Sequence, residues 1–320
     1  MAKTKPETFK LIDRDPMLGG FYEDIALRMR LYRETRARLL GEVPGKRGTG
    51  RSPRAVKDAA LENFADGHLY YGFHKTETGW VYREWAPEAE AMTLIGDFNG
   101  WNRQAAPMRR LNAGGDWEVE VPELPHGSLV KVQVTHCGQT FDRIPLYIHR
   151  VIQDTDGDFK GQIWDPAKPY RWTDGKFTMP DAPLCIYEAH VGMSSERPGI
   201  ASYDEFADQV LPRIQKDGYN AVQLMAIMQH PYYASFGNQV TNFFAASSWY
   251  GEPEGLKRLI NKAHRMGIAV LLDVVHSHAA RTRTTAWARS TVPIISSSMR
   301  ARKAIIPRGA PSCSITASRR

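Results

Sequence analysis

The sequence predicts a multidomain β plus α/β chain: an N-terminal helical segment, a small β-sandwich, and then the opening β/α units of a parallel sheet. Three observations carry this. Short strand-like runs between residues 72 and 135, set apart by Gly, Pro, Asn and Asp clusters, have the texture of a sandwich. From Leu184 onward, strand-like and helix-like runs alternate, the rhythm of right-handed β/α crossovers. The run Ile268–Leu272 is continuously apolar and ends in Asp273, His276, Ser277 and His278. It reads as a parallel strand buried on both faces, with polar groups gathered at its C-terminal end.

Tyr22–Leu40 is expected to form an amphipathic helix, because Tyr22, Ile25, Met29, Tyr32 and Leu39 recur near helical spacing among Arg and Glu. Gly41–Arg54, rich in Gly and Arg, suits a flexible linker, and Leu61–His74 a short helix leading into a loop. Strands are expected at Trp80–Trp85, Ala91–Gly96, Trp117–Val121 and Leu129–Thr135. In GDFNGWN, Asp97, Asn99 and Gly100 supply turn chemistry that places Trp101 at a hairpin tip. Trp85 and Trp101 read either as packing residues or as an aromatic platform for sugar rings. Next come a strand at Leu184–Val191, a helix at Ser202–Lys216 with Tyr203, Phe206, Val210 and Ile214 on its buried face, and a strand at Ala221–Ile227. A long aromatic loop, Met228–Tyr250, then leads to the helix Glu252–Met266 and the strand described first. The corresponding domain limits are 1–70, 71–170, 171–280 and a tail at 281–320.

The 320 residues carry a formal charge of +7, but unevenly. From Arg281 to Arg320 there are eight arginines, one lysine and no acidic residue, so residues 1–280 sum to about −2, an ordinary enzyme-like balance. The basic character therefore does not by itself make this a nucleic-acid partner. Apolar runs stay short of membrane-spanning length, and MAKTKPETFK lacks the apolar core of a secretory signal. Cys137, Cys185 and Cys313 have neither pair nor metal-ligand spacing and read as reduced thiols. A cytoplasmic chain with no membrane partner is expected.

Several stretches, in collinear order over roughly residues 15–280, resemble the glycogen and starch branching enzymes of the alpha-amylase superfamily, nearer the eukaryotic type. They are YREWAPEAEAMTLIGDFNGWN (Tyr82–Asn102), DRIPLYIHRV (Asp142–Val151), IYEAHVGMSS (Ile186–Ser195), LPRIQKDGYNAVQLMAIMQHPYYASFG (Leu211–Gly237), TNFFAASSWYG (Thr241–Gly251) and VLLDVVHSHA (Val270–Ala279). The resemblance implies an isoamylase-type carbohydrate-binding sandwich followed by the first three β/α units of an incomplete TIM barrel. It also implies an α-glucan partner, glycogen or a starch-like polymer, and a reaction that cleaves an α-1,4 bond and transfers the chain to a 6-hydroxyl. That reaction is a retaining double displacement by two carboxyl groups, without metal or organic cofactor. Matched onto DVVHSH, Asp273 falls on the carboxylate ordering the active-site floor and His278 on a histidine that hydrogen-bonds the sugar beside the scissile bond. Asn238, in SFGNQ, stands where the family usually has a tyrosine that packs against that sugar. The resemblance thus gives Asp273, His278 and Asn238 as substrate-binding and Trp85 and Trp101 as glucan-binding.

The resemblance places the catalytic carboxylates after the fourth, fifth and seventh barrel strands, beyond the three read here, so the chain as written is expected to be inactive. The alternative function is a non-catalytic glycogen-binding module. Back-translating Arg281–Arg320 with one nucleotide restored after Ala280 can give a reading containing DGTDYQFFHEG, which resembles the family's continuation. The tail is accordingly expected to be out of frame, and the three-stranded barrel piece incompletely folded.

Overall fold

The computed structural model describes residues 9–39, 65–155 and 157–275, and these divide at Tyr70/Tyr71 into two units. In the first unit, α1 (Lys10–Arg14) and a 3₁₀ turn, Pro16–Phe21, precede α2 (Tyr22–Leu39). The Asp15 side chain accepts from the Met17 N–H at 3.1 Å and so starts the 3₁₀ turn, with Pro16 at its first position. α2 forms as its sequence predicts, yet Leu27, Leu31 and Tyr32 on it remain exposed. Its apolar stripe is therefore only partly used: Tyr22, Ile25 and Met29 are half-buried.

The first unit ends with α3 (Gly67–Tyr70), and the second opens with two antiparallel sheets. One has the order β1 (Gly72–Thr76), β2 (Gly79–Trp85), β5 (Asp116–Val121), β4 (Arg109–Arg110). The other has β3 (Ala91–Gly96), β6 (Leu129–His136), β9 (Phe159–Gln162) and β8 (Val151–Gln153), with β7 (Gln139–Arg143) also paired to β6. Alternation along the strands sends Tyr82, Met92, Leu94, Trp117, Val119, Val130, Val132 and Val134 into one shared core. Glu84 follows the same alternation inward from Tyr82 and meets Arg143 of the opposite sheet in a buried ion pair. Lys131 is also buried, its ammonium 2.5 Å from the Asp158 carboxylate.

The β/α portion is built from β10 (Ile186–Ala189), β11 (Ala221–Leu224) and β14 (Ala269–Leu272), parallel and in that order. Between the first two lies a helix in three parts: α4 (Tyr203–Glu205), a π turn Phe206–Val210, and α5 (Leu211–Lys216). Ser202 and Glu205 close a capping box at its start, the Glu205 carboxylate accepting from the Ser202 N–H at 2.8 Å. α6 (Pro253–Arg265) precedes β14. The helices and one face of the sheet bury Phe206, Leu211, Ile214, Val222, Leu224, Leu259 and Ile268 in a second core.

The three strands of the β/α piece pair in register around that core. One sequence expectation changes here: Ile268–Leu272 is not buried on both faces. Leu272 is exposed, as is Val274 beyond it, and so are Ile186 and Tyr187 on the other outer strand.

The sandwich and the β/α piece are joined through named contacts. Arg150 donates to the Gly251 carbonyl at 3.1 Å and lies 4.7 Å over the Trp164 ring, whose indole N–H reaches Glu254. Thr173 and Asp174 hold Asn261 and His264 of α6, at 2.9 and 2.6 Å. Cys185 is a free, exposed thiol, as its isolated position in the sequence implies. Among the described residues, no helix is long and apolar enough to cross a membrane.

Candidate functional site

The C-terminal ends of parallel strands gather whatever polar groups the following loops carry, because the strands deliver those loops to one edge of the sheet. Here that edge receives His190 after β10, the aromatic loop after β11, and Asp273 after β14. Asp273 is half-buried, and its N–H donates to the Leu224 carbonyl at 3.2 Å, so it sits beside the end of β11. The loop after β11 runs through β12 (Met228–Gln229) and returns through β13 (Asn242–Ala246), the two paired antiparallel with an irregular register. Between them Gly237, at φ +85°, packs so closely on Ala226 that an added Cβ would lie 1.9 Å from the Ala226 carbonyl oxygen. Only glycine fits that approach. The neighbouring Asn238 is exposed, and its amide donates to the Ser235 carbonyl at 2.9 Å. Asp273 and Asn238 thus both follow adjacent strands. His278, with His276 and Ser277, lies outside the described residues.

A group of residues that the sequence did not single out occupies the same edge. His190 is buried, and its Nδ1 accepts the Met193 N–H at 3.1 Å. The ring's proton therefore resides on Nε2, which donates to the Tyr250 hydroxyl at 3.0 Å. Phe236 and Tyr233 meet the His190 ring edge-on at 5.3 and 5.8 Å. His230 donates from Nδ1 to the Met228 carbonyl at 2.9 Å, leaving its buried Nε2 without a hydrogen-bond partner. Burial holds both imidazoles below their ordinary pKa, with His230 adding to the effect at His190 and the Met228 bond partly offsetting it at His230. Burial also pushes the Tyr250 phenol upward, helped by Tyr233. The edge therefore presents neutral imidazoles, neutral phenols and aromatic rings, chemistry suited to sugar hydroxyls and apolar ring faces. The signal available in the sequence was the pair of histidines closing IYEAH and MQH, the first near the end of an expected strand and the second three residues after one. The one carboxylate in the loop after β10, Glu196, is 90% exposed and pairs with Arg213 at 3.5 Å.

In the sandwich, the indole N–H of Trp85 donates to the Gly114 carbonyl at 2.9 Å, and that of Trp101 to Asp97 Oδ1 at 2.9 Å. Both rings are half-buried. Gly100 and Trp101 adopt left-handed φ of 60° and 61°, and Lys160 lies 5.0 Å from the centre of the Trp101 ring. The turn is longer than a tight hairpin: Leu94 and Met92 pair with Ala106 and Met108 only after the whole 97–105 excursion. Trp85 ends β2 just before the link into β3, whereas Trp101 follows the end of β3. Six residues of strand, about 20 Å, lie between those two loops along the chain. Among the described residues no cluster of three or more His, Cys, Asp or Glu could hold a metal ion.

Comparison with known proteins agrees with this architecture. The family model described as carbohydrate-binding module 48 (isoamylase N-terminal domain) matches residues 70–148, and that for the alpha amylase catalytic domain matches residues 208–298. The 1,4-alpha-glucan-branching enzyme of Dictyostelium discoideum is 44% identical over 85% of this chain and 39% of its own length. Those of Emericella nidulans and Solanum tuberosum are 46% and 44% identical over 88% of this chain, covering 40% and 32% of theirs. The chain thus spans about a third to two fifths of the length of these curated relatives. Among solved structures, a pullulanase from Bacillus acidopullulyticus superposes with a TM-score of 0.56 at 21% identity, over 69% of this chain and 31% of that one. A putative alpha amylase from Salmonella typhimurium does so with 0.55 at 19%, over 67% and 34%. These two likenesses speak to the fold, a sandwich followed by amylase-type barrel strands. Carrying both matched regions in collinear order, this chain belongs to the 1,4-alpha-glucan-branching enzyme family of the alpha-amylase superfamily.

Proposed function

We propose that this chain holds an α-1,4 glucan for branching, through its sandwich and through the strand ends of its β/α piece. The observation carrying this reading is the 44–46% identity to branching enzymes across 85–88% of the chain. In this reading Trp85 and Trp101 contact the polymer at separate places on the sandwich, and Asp273, Asn238 and His278 contact the sugar beside the bond to be cleaved. The reaction class is transfer to a 6-hydroxyl through a glycosyl-enzyme, which needs two carboxyl groups about 5–5.5 Å apart. The described strand ends supply Asp273 and the outward-facing Glu196, so this chain as written binds glucan without cleaving it. It then behaves as a glycogen-binding module, found in the cytoplasm and needing no cofactor. Co-sedimentation with glycogen and an iodine-absorbance assay on amylose test this together. Binding without branching is the expected result, and loss of glycogen binding would remove the proposal.

We also infer that residues 281–320 are read out of frame. The restored reading resembles the family's continuation, while the alpha amylase match extending to residue 298 counts against a frame change as early as residue 281. Sequencing the coding DNA across Asp273–Arg289 decides it. Coding DNA that holds no family-like reading frame across the tail sinks the inference.

A further inference from the structure

The loop between β12 and β13 is fastened at two places, and one of them is the sandwich. At the strand ends, Gly237 packs on Ala226 and Phe236 meets the His190 ring edge-on at 5.3 Å. At its far end, β13 leaves the barrel edge and seats on the sandwich. The Asn242 amide donates to the Pro145 carbonyl at 3.1 Å, with both residues buried. The Phe244 ring stacks on Tyr147 at 4.3 Å and 21°, and Tyr147 stacks in turn on Tyr71 at 5.2 Å. Ala245 is buried within the sandwich core itself. Tyr71 completes the chain of contacts by donating its hydroxyl to Asp116 at the start of β5, at 2.7 Å.

From this geometry we infer that the sandwich is the anchor that sets the position of loop 230–241 over the strand ends, making Asn242, Phe244 and Tyr147 positioning residues for the glucan site. The inference deepens the proposed glucan reading and rests on it for the identity of the ligand. The physical argument is one of ordering. A twelve-residue loop that must present Tyr233, Phe236 and Asn238 to a ligand loses less freedom on binding if its outgoing strand is already fixed. Here the fixing surface belongs to the sandwich, so the sandwich serves the strand-end site even where it touches no sugar.

The test is hydrogen exchange on the full chain, with and without maltoheptaose, for wild type, Asn242→Ala and Phe244→Leu. Without ligand, amides of residues 231–239 are expected to exchange at least tenfold faster in both variants, while β3 and β6 keep wild-type protection. With maltoheptaose, wild type gains protection at 231–239; the variants lose at least half of that gain yet keep any gain within the sandwich. A purely structural contact would not move this ligand-dependent difference. If Asn242→Ala also exposes β3 and β6, Phe244→Leu, a smaller change on a partly exposed ring, decides the matter. Unchanged loop exchange in a folded Phe244→Leu chain overturns the anchor. Maltoheptaose that protects no residue anywhere removes the glucan reading instead, and the ligand-free comparison still judges the anchor.

Discussion

The Arg143 guanidinium donates to the Glu84 carboxylate across the middle of the sandwich, with 3% and 0% of the two residues exposed. The pair ties β2 of one sheet to β7 of the other. Burial pushes the Glu84 carboxyl upward and the adjacent Arg143 charge pulls it back down, with the Leu146 N–H assisting. Removing one partner leaves the other charged and dry.

Glu84→Gln should therefore destabilise the chain by about 3–5 kcal/mol in a urea titration. Glu84→Met combined with Arg143→Leu should recover most of that loss, since neither charge then remains buried. A double variant no better than the single one would show that the pair is not what the site requires.

Stability should fall as the solution is acidified from neutrality. His190 and His230 both titrate below the ordinary imidazole value when folded. Below about pH 6.5 the unfolded chain consequently binds more protons than the folded one. Their contribution is complete above that pH and is lost as pH drops through the folded values. Glu84, displaced upward, acts in the opposite sense above about pH 4.5, so wild type is compared with His190→Gln. Urea midpoints from pH 7.5 to 5 should decline less steeply in the variant, and parallel curves would discount His190.

Trp85→Ala and Trp101→Ala should each weaken glycogen co-sedimentation about three- to tenfold, roughly 0.7–1.4 kcal/mol. Because β3 separates them, their effects should add, with coupling below about 0.5 kcal/mol. Strong coupling would instead place both rings on one glucan segment.

Gly237→Ala should cost about 1–3 kcal/mol, from a left-handed φ of +85° and the collision with Ala226. A melting temperature equal to wild type would mean the loop can shift at no cost. Asn238→Tyr should act in the other direction on ligand. The exposed amide holds only a local turn, and a ring there should tighten maltoheptaose by about 0.5–1.5 kcal/mol in calorimetry.

Much of the framework was legible because it repeats with a period. The stripe Tyr203, Phe206, Ile214 marks the helix between β10 and β11, and Val130, Val132, Val134 marks the inward face of β6. Val210 is less buried than its spacing implies, because the π turn at Phe206–Val210 rotates it away from the core. Strands β1, β4, β7, β8 and β9 escaped notice for a different reason. Their two to five residues carry little alternation of their own and become strands through the partners they pair with. The likeness of YREW and DRIP to family motifs could be seen in the sequence, but not that Glu84 of one meets Arg143 of the other. His190 was hidden similarly, since its partner Tyr250 lies sixty residues downstream and a histidine closing an apolar run looks like ordinary core.

A sheet whose outer strands β10 and β14 expose Ile186, Tyr187 and Leu272 makes concentration a structural variable. Folding of one chain is first order, whereas an encounter between two such apolar surfaces is second order. Halving the amount of chain quarters the encounter rate and leaves folding untouched. The yield of singly folded molecules is thus set by how slowly and how dilutely the chain is made, and by how long a holdase shields Ile186, Tyr187, Leu272 and Val274. Light scattering across a dilution series should show this as a loss of monomer that steepens with chain concentration.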